Sequence, residues 1–86
     1  MRELNDTEQE ILKIKENRKH TKINIKEIDY RTLNPRQILC IVKNDIYTGY
    51  GTALRMMSDK PDQMIGHNLS YVRAIDNIIE QKLRDF

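Results

Sequence analysis

The sequence predicts an all-α protein, a small three-helix arrangement built on a hairpin of two long helices. Three observations point that way. Asn34-Pro35-Arg36-Gln37 places a capping Asn before a Pro at a first helical position. From there to Met57 the apolar residues gather on about a third of a helical circumference. After a Ser58-Asp59-Lys60-Pro61-Asp62 break, a second stripe of Ile65, Leu69, Val72, Ile75, Ile79 and Leu83 keeps the same period.

The first helix starts near Asn5 or Asp6. Asn5 followed by Glu8 is a capping-box spacing, in which the Asn oxygen satisfies an orphan amide. The stretch to Arg18 is rich in Glu, Lys and Gln, which are good helix formers. Its apolar face is thin (Leu4, Ile11, Leu12 and Ile14), so it needs tertiary support. Residues 19–34 read as a loop with a short helical turn. Ile23 and Ile25 alternate as in a strand, but no partner strand is evident, and Asn24 with Glu27 offers another cap. The expected division is a basic, weakly packed arm over 1–34 and a helical hairpin over 35–86.

Within the 35–57 helix, Ile38, Leu39, Val42, Ile46, Gly49, Tyr50, Ala53, Met56 and Met57 form the stripe. Gly49 and Ala53 lie one turn apart and leave room for another helix to approach. With Met56 and Met57 they are the candidate interface of an oligomer, the methionines supplying adaptable apolar surface. Self-association suits a chain of 86 residues and 10.3 kDa whose own core is small. Aromatics make up only 6% of it, so Ile, Leu and Met must do the packing.

The composition excludes several functions. Fifteen basic and thirteen acidic residues give a net charge of +2, too balanced to demand a nucleic-acid partner. The basic residues do cluster, as Lys13, Lys15, Arg18, Lys19, Lys22 and Lys26 against Glu16 alone. That cluster reads as a solvated helix face or an anion-binding patch. No apolar run approaches the ~20 residues of a membrane span. The polar start, Met1-Arg2-Glu3, does not read as a secretory signal. A lone Cys40 suits a reducing, cytoplasmic setting, that of a host cell if the protein is viral.

Cys40, His20 and His67 show no metal-ligand spacing, so neither a metal nor another cofactor is expected. Gly49-Tyr50-Gly51 lacks the Gly-Lys-Ser/Thr of a phosphate loop. No nucleophile has a base at the right spacing, and an enzyme is not expected. What remains is binding without catalysis. Tyr50 falls on the stripe and is expected to pack. Tyr47 sits at the stripe's edge near Lys43, where its ring either packs or stacks on a planar ligand.

Asn34-Pro35-Arg36, Ile41-Val42-Lys43, Asp45, Thr48-Gly49, Ala53-Leu54-Arg55 and Lys60-Pro61 together resemble the long helix of small phage sponge proteins. Those proteins sequester cyclic-nucleotide immune signals of infected bacteria. Arg2-Glu3-Leu4 is similar to that family's N-terminal segment. The resemblance covers about half the chain. It departs at Gln37, where the family tends to have a bulky aromatic, in the 19–34 connection, and in the tail helix over 62–86. It implies a helical homo-oligomer with nucleotide pockets between subunits and no turnover. It also implies that Arg2, Lys43, Thr48 and Arg55 meet the phosphates. The expectation is therefore an intracellular binding or inhibitor protein that sequesters a cyclic nucleotide. The alternative is a small regulator that binds a host protein or nucleic acid.

Overall fold

A computed structural model describes residues 4–54 and 63–85. Its elements run α1 (Asp6–Lys19), β1 (Glu27–Asn34), β2 (Gln37–Lys43), β3 (Thr48–Leu54) and α2 (Gln63–Arg84). The three strands form one antiparallel sheet in the order β1-β2-β3. The all-α expectation is thus overturned: the fold is α+β, with two helices against one sheet. There is no helical bundle and no 35–57/62–84 helical hairpin.

α1 forms as its cap dictates. Asn5 Oδ1 accepts the Glu8 amide at 2.8 Å, and Glu8 Oε1 accepts the Asn5 amide at 2.9 Å. The helix ends at His20, which turns left-handed at φ 51° and sends its amide to the Glu16 carbonyl. Glu16 then holds the connection: its Oε2 accepts the Ile23 amide at 2.7 Å, and Ile23 is buried. The cap expected at Asn24 does not form a helix. Asn24 instead takes φ 55°, a conformation Asn tolerates, just before β1.

Over its described part, residues 35–54, the helix expected at 35–57 is replaced by two strands. Its start signal, Asn34-Pro35, is a turn signal. Asn34 Oδ1 accepts the Arg36 amide at 2.8 Å, so Asn34-Pro35 closes the β1–β2 turn rather than capping a helix. Asn44 Oδ1 accepts both the Ile46 and Tyr47 amides, at 2.9 and 2.7 Å, and closes the β2–β3 turn. Between the turns, Ile38, Cys40 and Val42 are buried and their neighbours are not, a period of two. β-Branched and aromatic residues dominate, as strands prefer.

Both helices cover one face of the sheet. The core joins Ile23, Cys40 and Val42 to Tyr71, Ala74, Ile75, Ile78 and Ile79 of α2. α2 has the extent its periodicity predicts, but its buried face is rotated. Ser70, Tyr71, Ala74 and Ile78 are inside, whereas Leu69 and Leu83, expected inside, are exposed. Gly49 and Gly51 let α2 come close. A Cβ on Gly49 would lie 2.5 Å from the Ala74 carbonyl oxygen, and one on Gly51 would overlap the Ser70 carbonyl. The room read for a helix at Gly49 is filled by this chain's own α2, across a strand.

The 1–34 region is not a loose arm. Glu8 is buried and ties three elements together. Its carboxylate accepts the Tyr30 hydroxyl at 2.5 Å, and its backbone carbonyl accepts the Tyr71 hydroxyl at 3.0 Å. Tyr30 also stacks on His67, with ring centroids 4.5 Å apart. Beyond that, Lys15 pairs with Asp76 at 3.0 Å, and the Lys82 ammonium donates to the Lys22 carbonyl.

Candidate binding surface

With both helices on one side, the other face of the sheet is bare of any described element. The register places its residues in rows of three. Glu27, Lys43 and Thr48 form the first row, and Asp29, Ile41 and Tyr50 the second. Arg31, Leu39 and Thr52 form the third, and Asn34, Gln37 and Leu54 the last. An apolar centre of Leu39, Ile41, Tyr50 and Leu54 therefore runs beside a charged border on β1. Tyr50 is 55% exposed and Leu54 72%, large for side chains of this kind in a sheet.

The charges on this face balance one another. Arg31 Nε donates to Asp29 Oδ2 at 2.8 Å, and Lys43 Nζ lies 3.9 Å from Glu27. The hydrogen bond from Arg31 holds the Asp29 carboxyl below its usual range, and Asp29 in return raises Arg31. Around these groups, between Ile41 and the β1 border, lies a shallow depression of about 300 Å³. Its polar lining offers both signs, so it suits a partner that presents both.

The proposed ligand residues are divided by the fold. Lys43 and Thr48 lie directly opposite each other at one end of the bare face. Tyr47 is in the β2–β3 turn, half-buried against the core, and does not join them. Partial burial pushes its phenol pKa up, and a hydrogen bond to Asp85 adds to this. Gly49 is buried beneath α2 and Ala53 is buried on the same face of β3, so neither lies on the bare face. Arg2, Arg55, Met56 and Met57 lie outside the described residues, as does the 58–62 break.

Tyr50 is the residue the helical reading misplaces most. A stripe at 100° per residue turns it inward, whereas alternation in β3 turns it outward. Leu39 is misplaced for the same reason, whereas Ile41 and Leu54 lie off that stripe and are not singled out by it as an outer surface. The available signal was the alternation Thr48, Tyr50, Thr52 against Gly49, Gly51, Ala53.

A second recess, about 650 Å³, lies between the helices. Lys15, Arg18 and Lys19 from the basic segment line it, facing Asp76 and Glu80. Asp76 already pairs with Lys15, and Glu80 with Arg84 at 2.7 Å. The basic stretch is thus partly neutralised by α2. Among the described residues no group of His, Cys, Asp and Glu could hold a metal, and Cys40 is buried. No helix among them is long and apolar enough to cross a membrane. No family model matches this chain, and no curated protein or solved structure matches it.

Proposed function

We propose that this is a non-enzymatic binding protein that works through the bare face of its sheet and takes another protein as its partner. The observation that carries this reading is the composition of that face: an exposed apolar centre around Tyr50, bordered by charges that cancel. Tyr and Arg are residues on which protein interfaces concentrate their energy. A phosphate ligand would instead meet the carboxylates of Glu27 and Asp29 at the border. In the narrower version the protein is phage-encoded and works in the host cytoplasm, where it occupies and inhibits a host protein.

Affinity capture by the intact chain, compared with Tyr50→Ala and Leu39→Glu, tests this. Both side chains face outward, so the variants keep the fold. A bound protein should be lost by about tenfold or more in each variant. Equal capture by all three would remove the face from the account.

One observation favours a second reading, sequestration of a cyclic nucleotide. Lys43 and Thr48 stand opposite each other, with the Tyr50 ring in the next row as a stacking platform. The helical setting implied by the sponge resemblance does not carry over, because Lys43 and Thr48 lie in β2 and β3 here. Calorimetry against cyclic di- and trinucleotides decides it: heat at micromolar concentration that disappears in Lys43→Ala supports the reading, and no heat ends it. Direct recognition of DNA or RNA is less favoured, since α2 offsets the basic segment.

A further inference from the structure

The two edges of the sheet are treated differently. Along β3 the outward backbone groups are met by α2: Asn77 Oδ1 accepts the Tyr50 amide at 3.0 Å. Gln81 donates to the Thr48 carbonyl and Arg73 to the Thr52 carbonyl, both at 2.7 Å. Because the backbone groups of residues 48, 50 and 52 are directed to α2 side chains, those of residues 49, 51 and 53 bond to β2. The alternation of an antiparallel ladder then fixes the rest. Lys43, Ile41 and Leu39 bond toward β1, where Glu27, Asp29 and Arg31 receive them. The backbone groups of Ile28, Tyr30 and Thr32 are directed to the outer edge of β1. Among the described elements α2 packs chiefly on β2 and β3, and it meets β1 through the stacking of His67 on Tyr30.

We infer that β1 is a pairing edge for a second copy of this chain, antiparallel, with a two-fold axis at residue 30. Two sheets then join into one of six strands. In this register Ile28 and the partner's Thr32 face each other as a hydrogen-bonded pair, using the outward groups of both strands. Asp29 stands opposite the partner's Arg31, and Arg31 opposite the partner's Asp29. These fall at non-hydrogen-bonded positions, where side chains across the ladder are closest.

Charge on an edge strand ordinarily blocks pairing. Here the charges are complementary to themselves under two-fold rotation, so they select a register instead. A slip of two residues sets Asp29 against the partner's Asp29, or Arg31 against the partner's Arg31, on the axis. Within one chain Asp29 accepts from Arg31 and from the Tyr30 amide. Pairing exchanges these contacts for ones across the new ladder. The inference goes beyond the proposed function and does not rest on it. Asp29 and Arg31 also border the binding face, so the readouts separate the two: self-association reports the edge, and partner capture by Tyr50→Ala and Leu39→Glu reports the face, so either can fail alone.

Sedimentation equilibrium of the full chain, from about 1 μM to about 1 mM, tests the pairing. The native chain should show a reversible monomer–dimer equilibrium. Asp29→Arg alone and Arg31→Asp alone should each weaken it about tenfold, because two attractive pairs become repulsive. The double swap, Asp29→Arg with Arg31→Asp, should restore it. Thr32→Pro, which deletes an outward amide, should weaken it as well. Unchanged circular dichroism and thermal melts establish that the variants fold. A monomer throughout the range overturns the inference. So does a dimer indifferent to the single swaps, or a double swap no better than either single.

Discussion

A single methyl group at position 51 would occupy the place of the Ser70 carbonyl. That contact explains why two glycines sit in a strand, where glycine ordinarily weakens the structure. Replacing Gly51 by Ala removes unfolded-state freedom, worth about 0.4–1 kcal/mol in favour of the fold. The overlap with helix backbone outweighs it, since overpacking costs about 1–3 kcal/mol and a helix backbone yields less than a side chain. Gly51→Ala should therefore lower stability by about 2 kcal/mol, measured as a shifted urea midpoint at unchanged slope. An unchanged midpoint would mean that α2 moves away freely. The same two glycines were the strongest hint against a helix in the sequence. Gly49 and Gly51 together cost a helix interior about 2 kcal/mol relative to Ala.

At the level of elements, α2 and β3 run antiparallel with matched repeats. Arg73, Asn77 and Gln81 recur every four residues and meet Thr52, Tyr50 and Thr48, which recur every two. Four helical residues rise about 6 Å and two strand residues about 6.8 Å, so the two series stay in step over three contacts. Asn77 is the central member, because its Oδ1 accepts both Tyr50 and Gln81. Asn77→Ala should cost about 1 kcal/mol and speed hydrogen exchange at the Tyr50 amide. Exchange at that amide matching the native rate would contradict the edge-capping role.

What the sequence disclosed follows from where local and tertiary preferences agree. α1 was readable because its cap is local: Asn5 and Glu8 satisfy each other three residues apart. α2 was readable in extent because its apolar residues repeat over six turns. Its buried face was not, because that depends on a strand whose side chains are glycine and alanine. β2 was misread because Ile38 and Val42 satisfy a helical spacing and a strand spacing at once, and Asn34-Pro35 serves caps and turns alike. β1 lacked a visible partner only because β2 had been assigned to a helix. Of the candidate ligand residues, Lys43 and Thr48 were found together by a different geometry from the expected one. Tyr50 was hidden by the same error of period.

For the whole molecule, the small size and low aromatic content of the chain take on a different meaning. The helices and the inner face of the sheet use most of the apolar residues. The outer face carries Leu39, Ile41, Tyr50 and Leu54, and both the protein-binding proposal and the nucleotide reading place their ligand there. The most direct measurement is site-specific photocrosslinking in the native host, with the reactive group at position 50 or at position 14. Tyr50 is exposed on the bare face, and Ile14 is exposed on α1. A single protein crosslinked from position 50 and not from position 14 is the predicted result. Crosslinking from position 14 alone, or from neither position, would contradict it.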